Sequence, residues 1–310
     1  METRKFQALR HFVKGTFVCF AALSITITLG GCSPTSWMPR VQGQLEAALT
    51  PSSCELQLAD AEDATAMAAT QPTAARSVES LTIWQRQRKA VQSRDLWRLV
   101  GITCQGRFAE GVLESGRASS MAASMARRTG IAYADTTTRI DANTSLTIAD
   151  DAAKGLALAH DRAGFAFEVL AARHTANGTL AKLSDRHKAL ASGFAAHTSD
   201  TDSRNAVYSV QQLLANPDVI LDTASGLRVP TSAAVAMDLV REQLSALATS
   251  SSGDTTANGD GSADTTRIMI SDDATASVLA NLLSEETSQA LQLGFPQFDE
   301  ALFTTRVATS

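Results

Sequence analysis

The sequence predicts an all-α protein, with a four-helix bundle over its second half and additional helices before it. Three observations predict this. Long Ala-, Leu- and Gln-containing stretches are interrupted by only 18 Gly and 7 Pro in 310 residues, a composition that favours helices over strands. In the second half, apolar residues recur at helical spacing in four separate runs. Start and stop signals bound those runs.

In chain order, the first segment is an export signal. Arg4, Lys5, Arg10 and Lys14 form a basic leader, and no charged side chain occurs from Gly15 to Gly31, where Phe17, Val18, Phe20, Leu23, Ile25, Ile27 and Leu29 dominate. The run ends in Leu29-Gly30-Gly31-Cys32, which resembles the lipobox of bacterial lipoproteins. The resemblance implies cleavage between Gly31 and Cys32 and a diacylglyceryl thioether on Cys32. Two or more acyl chains anchor stably, each buried methylene contributing about 0.8 kcal/mol. An uncleaved membrane helix is the alternative, but the run is at the short limit for spanning and glycines close it. The expected location is the extracytoplasmic face of the cell membrane, with residues 32–36 as a lipidated tether.

Without residues 1–31 the chain keeps 23 basic and 31 acidic residues, a formal charge of −8, since the leader holds four basic residues and Glu2. An acidic chain without basic clusters argues against nucleic acid as a partner. The expected partners are the membrane, through the lipid, and an envelope protein. Cys19 leaves with the leader and Cys32 carries lipid, so Cys54 and Cys104 form an even pair outside the cytoplasm, and one disulfide is expected. Its loop of about fifty residues would contribute roughly 4 kcal/mol in the chain-entropy model.

Residues 37–134 read as an N-terminal helical region. Leu45, Ala48 and Leu49 suggest a helix closed by Thr50-Pro51. Ser52 or Ser53 caps a second with Cys54, Leu56 and Leu58, and Gln71-Pro72 breaks it. Val78, Leu81, Trp84 and Gln85 mark a third helix, and Trp97, Leu99, Ile102 and Cys104 a fourth from about Asp95. Phe108, Val112, Leu113, Met121 and Met125 mark a fifth, and the Trp and Met positions read as core filler. The polar stretch 135–145 reads as a boundary before a second unit, 146–295.

That unit opens with a capping-box-like Thr147-Ile148-Ala149-Asp150. Leu156, His160, Ala163, Phe167, Leu170 and His174 then share one helix face. Leu158, Phe165 and Val169 lie nearly opposite, so this helix is expected to pack on two neighbours. After an Asn177-Gly178 turn, Leu180, Leu183, His187, Leu190, Phe194 and His197 form the stripe of its hairpin partner. An irregular stretch with Tyr208, Leu213, Leu214 and an Asn216-Pro217 break follows. Pro230-Thr231-Ser232 opens a third helix with Ala233, Met237, Val240, Leu244 and Leu247 inward, and residues 248–266 read as a loop. Ser271 caps a fourth helix with Leu279, Leu283, Glu286, Ala290 and Leu293 inward. Gly294-Phe295-Pro296 stops it, and 296–310 is a tail.

The runs GLALAHDRAGFAFEVLAARH (155–174), LAKLSDRHKAL (180–190) and VPTSAAVAMDLVREQLSAL (229–247) resemble a ferritin-like domain family of unknown function from actinobacterial exported proteins. The resemblance spans roughly 147–295. It implies a ferritin-like four-helix bundle and little about activity. A di-iron centre would need a Glu from each of two helices and Glu-x-x-His from each of the others. No Glu-x-x-His occurs, and the inward stripes offer four histidines but one carboxylate, Glu286. The expectation is therefore a buried polar cluster of His160, His187 and Glu286, with no metal, no cofactor and no catalytic residue assigned, although four histidines on one hairpin keep zinc or copper conceivable.

GxSxG, Walker, Rossmann and HExxH motifs are absent, and residues 254–264 lack the register of a calcium loop. The function expected is a structural or partner-binding helical body on a lipid anchor, rather than an enzyme. The alternatives are a ferritin-like metal-binding protein or oxidase, and a solute-binding lipoprotein.

Overall fold

A computed structural model describes residues 51–70, 79–133, 137–174, 178–199, 204, 207–251, 268, 270 and 272–304. Two compact units divide the chain at Leu49/Thr50. The first lies outside the described residues, and with it Gly31, Cys32, the tether and the helix expected around Leu45. The second, Thr50–Ser310, is mostly helical. Among the described residues no helix is long and apolar enough to cross a membrane.

Its helices are α1 (Ser53–Ala69), α2 (Glu79–Thr103), α3 (Phe108–Thr129), α4 (Asp150–Arg173), α5 (Gly178–Ala195), the short α6 (Gln211–Ala215), α7 (Thr231–Ser251), α8 (Asp273–Gln292) and the short α9 (Asp299–Leu302). A capping box starts α1: Glu55 N–H donates to Ser52 Oγ at 3.2 Å, and Ser52 N–H donates to Glu55 Oε2 at 2.6 Å. Cys54 and Cys104 are disulfide-bonded with Cα atoms 5.4 Å apart, which ties the start of α1 to the end of α2. Trp97 Nε1 donates to Thr65 Oγ1 at 2.9 Å across the same pair.

Neighbours follow one another as α1, α2, α3, α8, α7, α4 and α5. As its apolar stripes require, α4 packs on two helices, α5 and α7. Its inward face, Leu156, Ala163, Phe167 and Leu170, is buried with Leu180, Leu183, Leu190 and Phe194 of α5 and Leu279, Leu283 and Ala290 of α8 in one core. Each large side chain so buried stabilises by about 1.5–3 kcal/mol. The α2–α3 crossing is made by glycine: a Cβ on Gly111 would lie 2.5 Å from Gly101 Cα and 2.7 Å from Trp97 O.

Several elements differ from the sequence expectation. Helices expected separately around Trp84 and Trp97 form the single 25-residue α2, since no Gly or Pro separates them. Trp97 is buried, but Trp84 and Met67 are exposed rather than core. The Thr147–Asp150 box is not made. Ala149 is the N-cap of α4, Thr147 N–H donates instead to Thr275 Oγ1 at 2.8 Å, and Asp150 accepts from Ser199. The cap of α8 is Asp272, not Ser271; its carboxylate accepts from Thr275 N–H at 2.8 Å. Ahead of α4, Thr138 N–H donates to Glu285 Oε1 of α8 at 2.9 Å. Leu158, Phe165 and Val169 are half-buried.

Between α6 and α7 the irregular stretch contains an antiparallel hairpin, β1 (Val219–Asp222) and β2 (Leu227–Pro230), paired Val219 to Pro230 and Asp222 to Leu227. Gly226, at φ 71°, closes its turn. Asp222 fixes the hairpin to α7 through Arg241, whose Nη1 and Nη2 lie 2.8 and 3.2 Å from the two carboxylate oxygens. Arg241 Nη2 also donates to Ala301 O of α9 at 3.3 Å. The α8 stop is as expected: Gly294 has φ 106°, and Phe295 N–H donates to Ala290 O at 3.0 Å.

Gly111→Ala is expected to destabilise the protein by about 1–3 kcal/mol, because the new methyl meets backbone that cannot yield. Gly178→Ala, which meets nothing within 4 Å, is expected to shift stability by less than about 1 kcal/mol. Urea denaturation of the two variants beside the parent measures the difference.

Candidate functional site

Helical spacing puts His160 on the inward face of α4, His187 on that of α5 and Glu286 on that of α8, and the packing brings the three together. One donor atom from each lies within 4.8 Å of the other two. His160 and His187 are fully buried, and Glu286 is 1% exposed. The two imidazoles meet Nδ1 to Nδ1 at 3.2 Å. His187 Nε2 is 3.7 Å from Glu286 Oε2. Phe167 and Phe194 bracket the pair, with ring centroids 5.3 Å from His187 and 5.5 Å from His160 respectively.

Arg186 closes the edge of the cluster. Its Nη2 is 2.8 Å from Glu285 Oε2 and 3.2 Å from Glu286 Oε1, and its Nη1 donates to Gln289 Oε1 at 3.3 Å. The contact with Glu286 is close but lacks hydrogen-bond geometry, and neither Glu286 oxygen accepts a hydrogen bond. Nor is either histidine Nε2 bonded. Glu285 is better satisfied, since it also accepts from Thr138 N–H at 2.9 Å. Gln243 of α7 is fully buried, with its amide oxygen and nitrogen both unbonded. Gly155 opposes Ala246, and Arg162 pairs with Glu242 at 2.7 Å, so the antiparallel register of α4 and α7 sets Gln243 near the level of His160.

Burial governs the charge states. It pulls the His160 imidazole well below its ordinary value, helped by the neighbouring His187 and Arg186 charges. Burial also lowers His187 to about 3, with Arg186 adding to it. Both rings are therefore neutral at pH 7. The same burial raises the Glu286 carboxyl, and Arg186 opposes it. Glu285 is likewise raised by burial against the Thr138 bonds and Arg186.

His174 and His197, the other two histidines among the described residues, stay apart from this cluster. His174 caps α4 with its Nε2 3.7 Å from Asp218, and His197 bonds Asp141 O at 2.9 Å beyond α5. Arg186, Glu285 and Gln243 were not singled out by the sequence. Arg186 and Glu285 each sit one position from a stripe residue, a signal available only once both helices are paired. The groove of about 1350 Å³ along α1 and α2, and the pocket at Tyr208 over α4 and α7, contain none of the cluster residues.

The donor set does not fit a carboxylate-bridged di-iron centre. Glu286 is the one carboxylate within it, and Glu285 is turned to Thr138 and Arg186. Comparison with protein-family models, with curated proteins and with solved structures finds no match to this chain.

The neutral buried histidines set a pH dependence. Their folded values lie below the unfolded value, so the unfolded chain binds more protons in acid and stability falls as pH drops below about 6.5. His187 alone is expected to remove about 2 kcal/mol between pH 7 and pH 5, and His160 acts in the same direction. Glu286, raised in the fold, opposes the loss in part. Thermal melts at pH 7, 6 and 5 should show the decline, and His187→Gln should flatten it.

Proposed function

We propose that the protein is a lipid-anchored lipoprotein of the extracytoplasmic membrane face, with a structural or partner-binding helical body. The observation that carries this reading is Leu29-Gly30-Gly31-Cys32, placed after a basic leader and an uncharged apolar run. What favours a body that holds or binds over one that catalyses is the seclusion of its polar cluster: His160, His187 and Glu286 are sealed in the core, beyond reach of a dissolved substrate. A disulfide between Cys54 and Cys104 suits an oxidising compartment.

In this reading α4, α5, α7 and α8 are a ferritin-like bundle. Support comes from the α5, α4, α7, α8 neighbour order, and from inward polar residues on all four helices: His160, His187, Gln243 and Glu286. The partner is an envelope protein, and the acidic mature chain gives nucleic acid no foothold.

Mass spectrometry of membrane-extracted protein tests the anchor. The expected product begins at Cys32 and carries a diacylglyceryl thioether, and Cys32→Ser abolishes the modification and retains the leader. An intact, unacylated Met1 in the parent protein would end this reading.

A further inference from the structure

We propose that His160, His187 and Glu286 bind one divalent cation of the zinc class in the core between α4, α5 and α8. The inference concerns the helical body and is independent of the lipid anchor.

The geometry argues first. Two nitrogens on one tetrahedral zinc, with bonds of about 2.0–2.1 Å, lie roughly 3.3 Å apart. The Nδ1 atoms of His160 and His187 stand at 3.2 Å. Glu286 faces the other nitrogen of His187, its Oε2 3.7 Å from Nε2, and one donor atom of each residue lies within 4.8 Å of the other two, so side-chain movement of about 1.5 Å brings three donors to that spacing. Glu286 has no hydrogen bond to surrender in moving.

Chemistry argues second. Two imidazoles and one carboxylate match zinc and related borderline ions, whereas iron in a bundle takes mostly oxygen. The histidines are already neutral, so binding costs them no proton, and Glu286 gains the positive partner that a buried carboxylate requires. Glu285 occupies Arg186, so the guanidinium keeps a partner when Glu286 turns to the ion. Three protein ligands leave a fourth position open.

Third, the residues are otherwise costly. Both Glu286 oxygens are buried without hydrogen bonds, and native interiors seldom leave such groups unpaired. An ion joining α4 and α5 to α8 fixes helices whose backbones are not closely packed, since α5 is not among the packing neighbours of α8.

The test refolds the full chain from urea with Zn²⁺ alone, desalts it and measures bound metal. About one equivalent is expected, with Co²⁺ in its place giving the visible absorption of a tetrahedral site. Glu286→Gln preserves shape, and His187→Gln removes a ring. Each is expected to weaken zinc binding by more than the roughly 10–100-fold typical of an outer-shell change. A His174→Ala, His197→Ala double variant keeps the full equivalent. Less than about a tenth of an equivalent in the parent, metal retained unchanged in folded Glu286→Gln, or metal lost in the double variant would each overturn the proposal. Should His187→Gln fail to fold, Glu286→Gln decides alone, with circular dichroism as the check on its fold.

Discussion

One carboxylate and two imidazoles enclosed in an Ala- and Leu-rich core are the constraint on which the second half depends. A buried ionised carboxylate is tolerated only when paired. Here the available cation is Arg186, at the core's margin with 22% of its side chain exposed. Its planar fork divides between Glu285, Glu286 and Gln289, so three residues of α8 hang on one residue of α5. Long side chains therefore join α5 to α8. Beside this junction the rings of Phe167, His187, His160 and Phe194 stack in sequence between α4 and α5.

The opposite side of α8 follows a different rule. Ser284, Thr287 and Ser288 are buried there, and the first two satisfy their hydroxyls within the helix, Ser284 on Ala280 O and Thr287 on Leu283 O. With its hydroxyls turned inward, this face presents methyl and methylene surface that another helix can cover closely. The covering helix is α3, where Gly116 sits so near Thr287 that an added Cβ would be 2.4 Å from the threonine Cβ. Thus α8 is sandwiched, wide-spaced toward the histidines and tight toward α3. Of the leading helices α3 and α2 cover α8, and α1 packs on α2, which ties all three to the helices that follow.

How much of this was legible in the sequence depended on whether a feature is local. The stripes of α4, α5 and α8 were readable because a 3.6-residue period survives without knowledge of neighbours, and that period alone put His160, His187 and Glu286 inward. The Cys54–Cys104 pairing was readable by counting. What failed was set by competition between distant groups. Thr147 resembles a cap, but its amide is taken by Thr275 across the chain. The hairpin was hidden because its strands have only four residues each and hold by Asp222 meeting Arg241, not by alternation. Arg186 was missed for the same reason: its neighbour His187 points into the core, and only the approach of α8 gives the arginine its acceptors on Glu285 and Gln289 and the nearby charge of Glu286.

Seclusion of the cluster bears on what chemistry the fold can perform. A catalytic site needs its reacting groups within hydrogen-bond reach of an admitted substrate. Phe167, Phe194 and the packed faces of α4, α5 and α8 leave no such approach to His160, whose Nε2 is buried. Opening one would require moving a helix whose removal exposes Leu156, Phe167 and Leu283 together, a larger loss than single-loop motions involve. A bare ion needs far less room than a substrate, and local breathing or folding itself admits it. A sealed donor set of this kind is suited to holding an ion, and the same burial makes whatever such a site holds slow to leave.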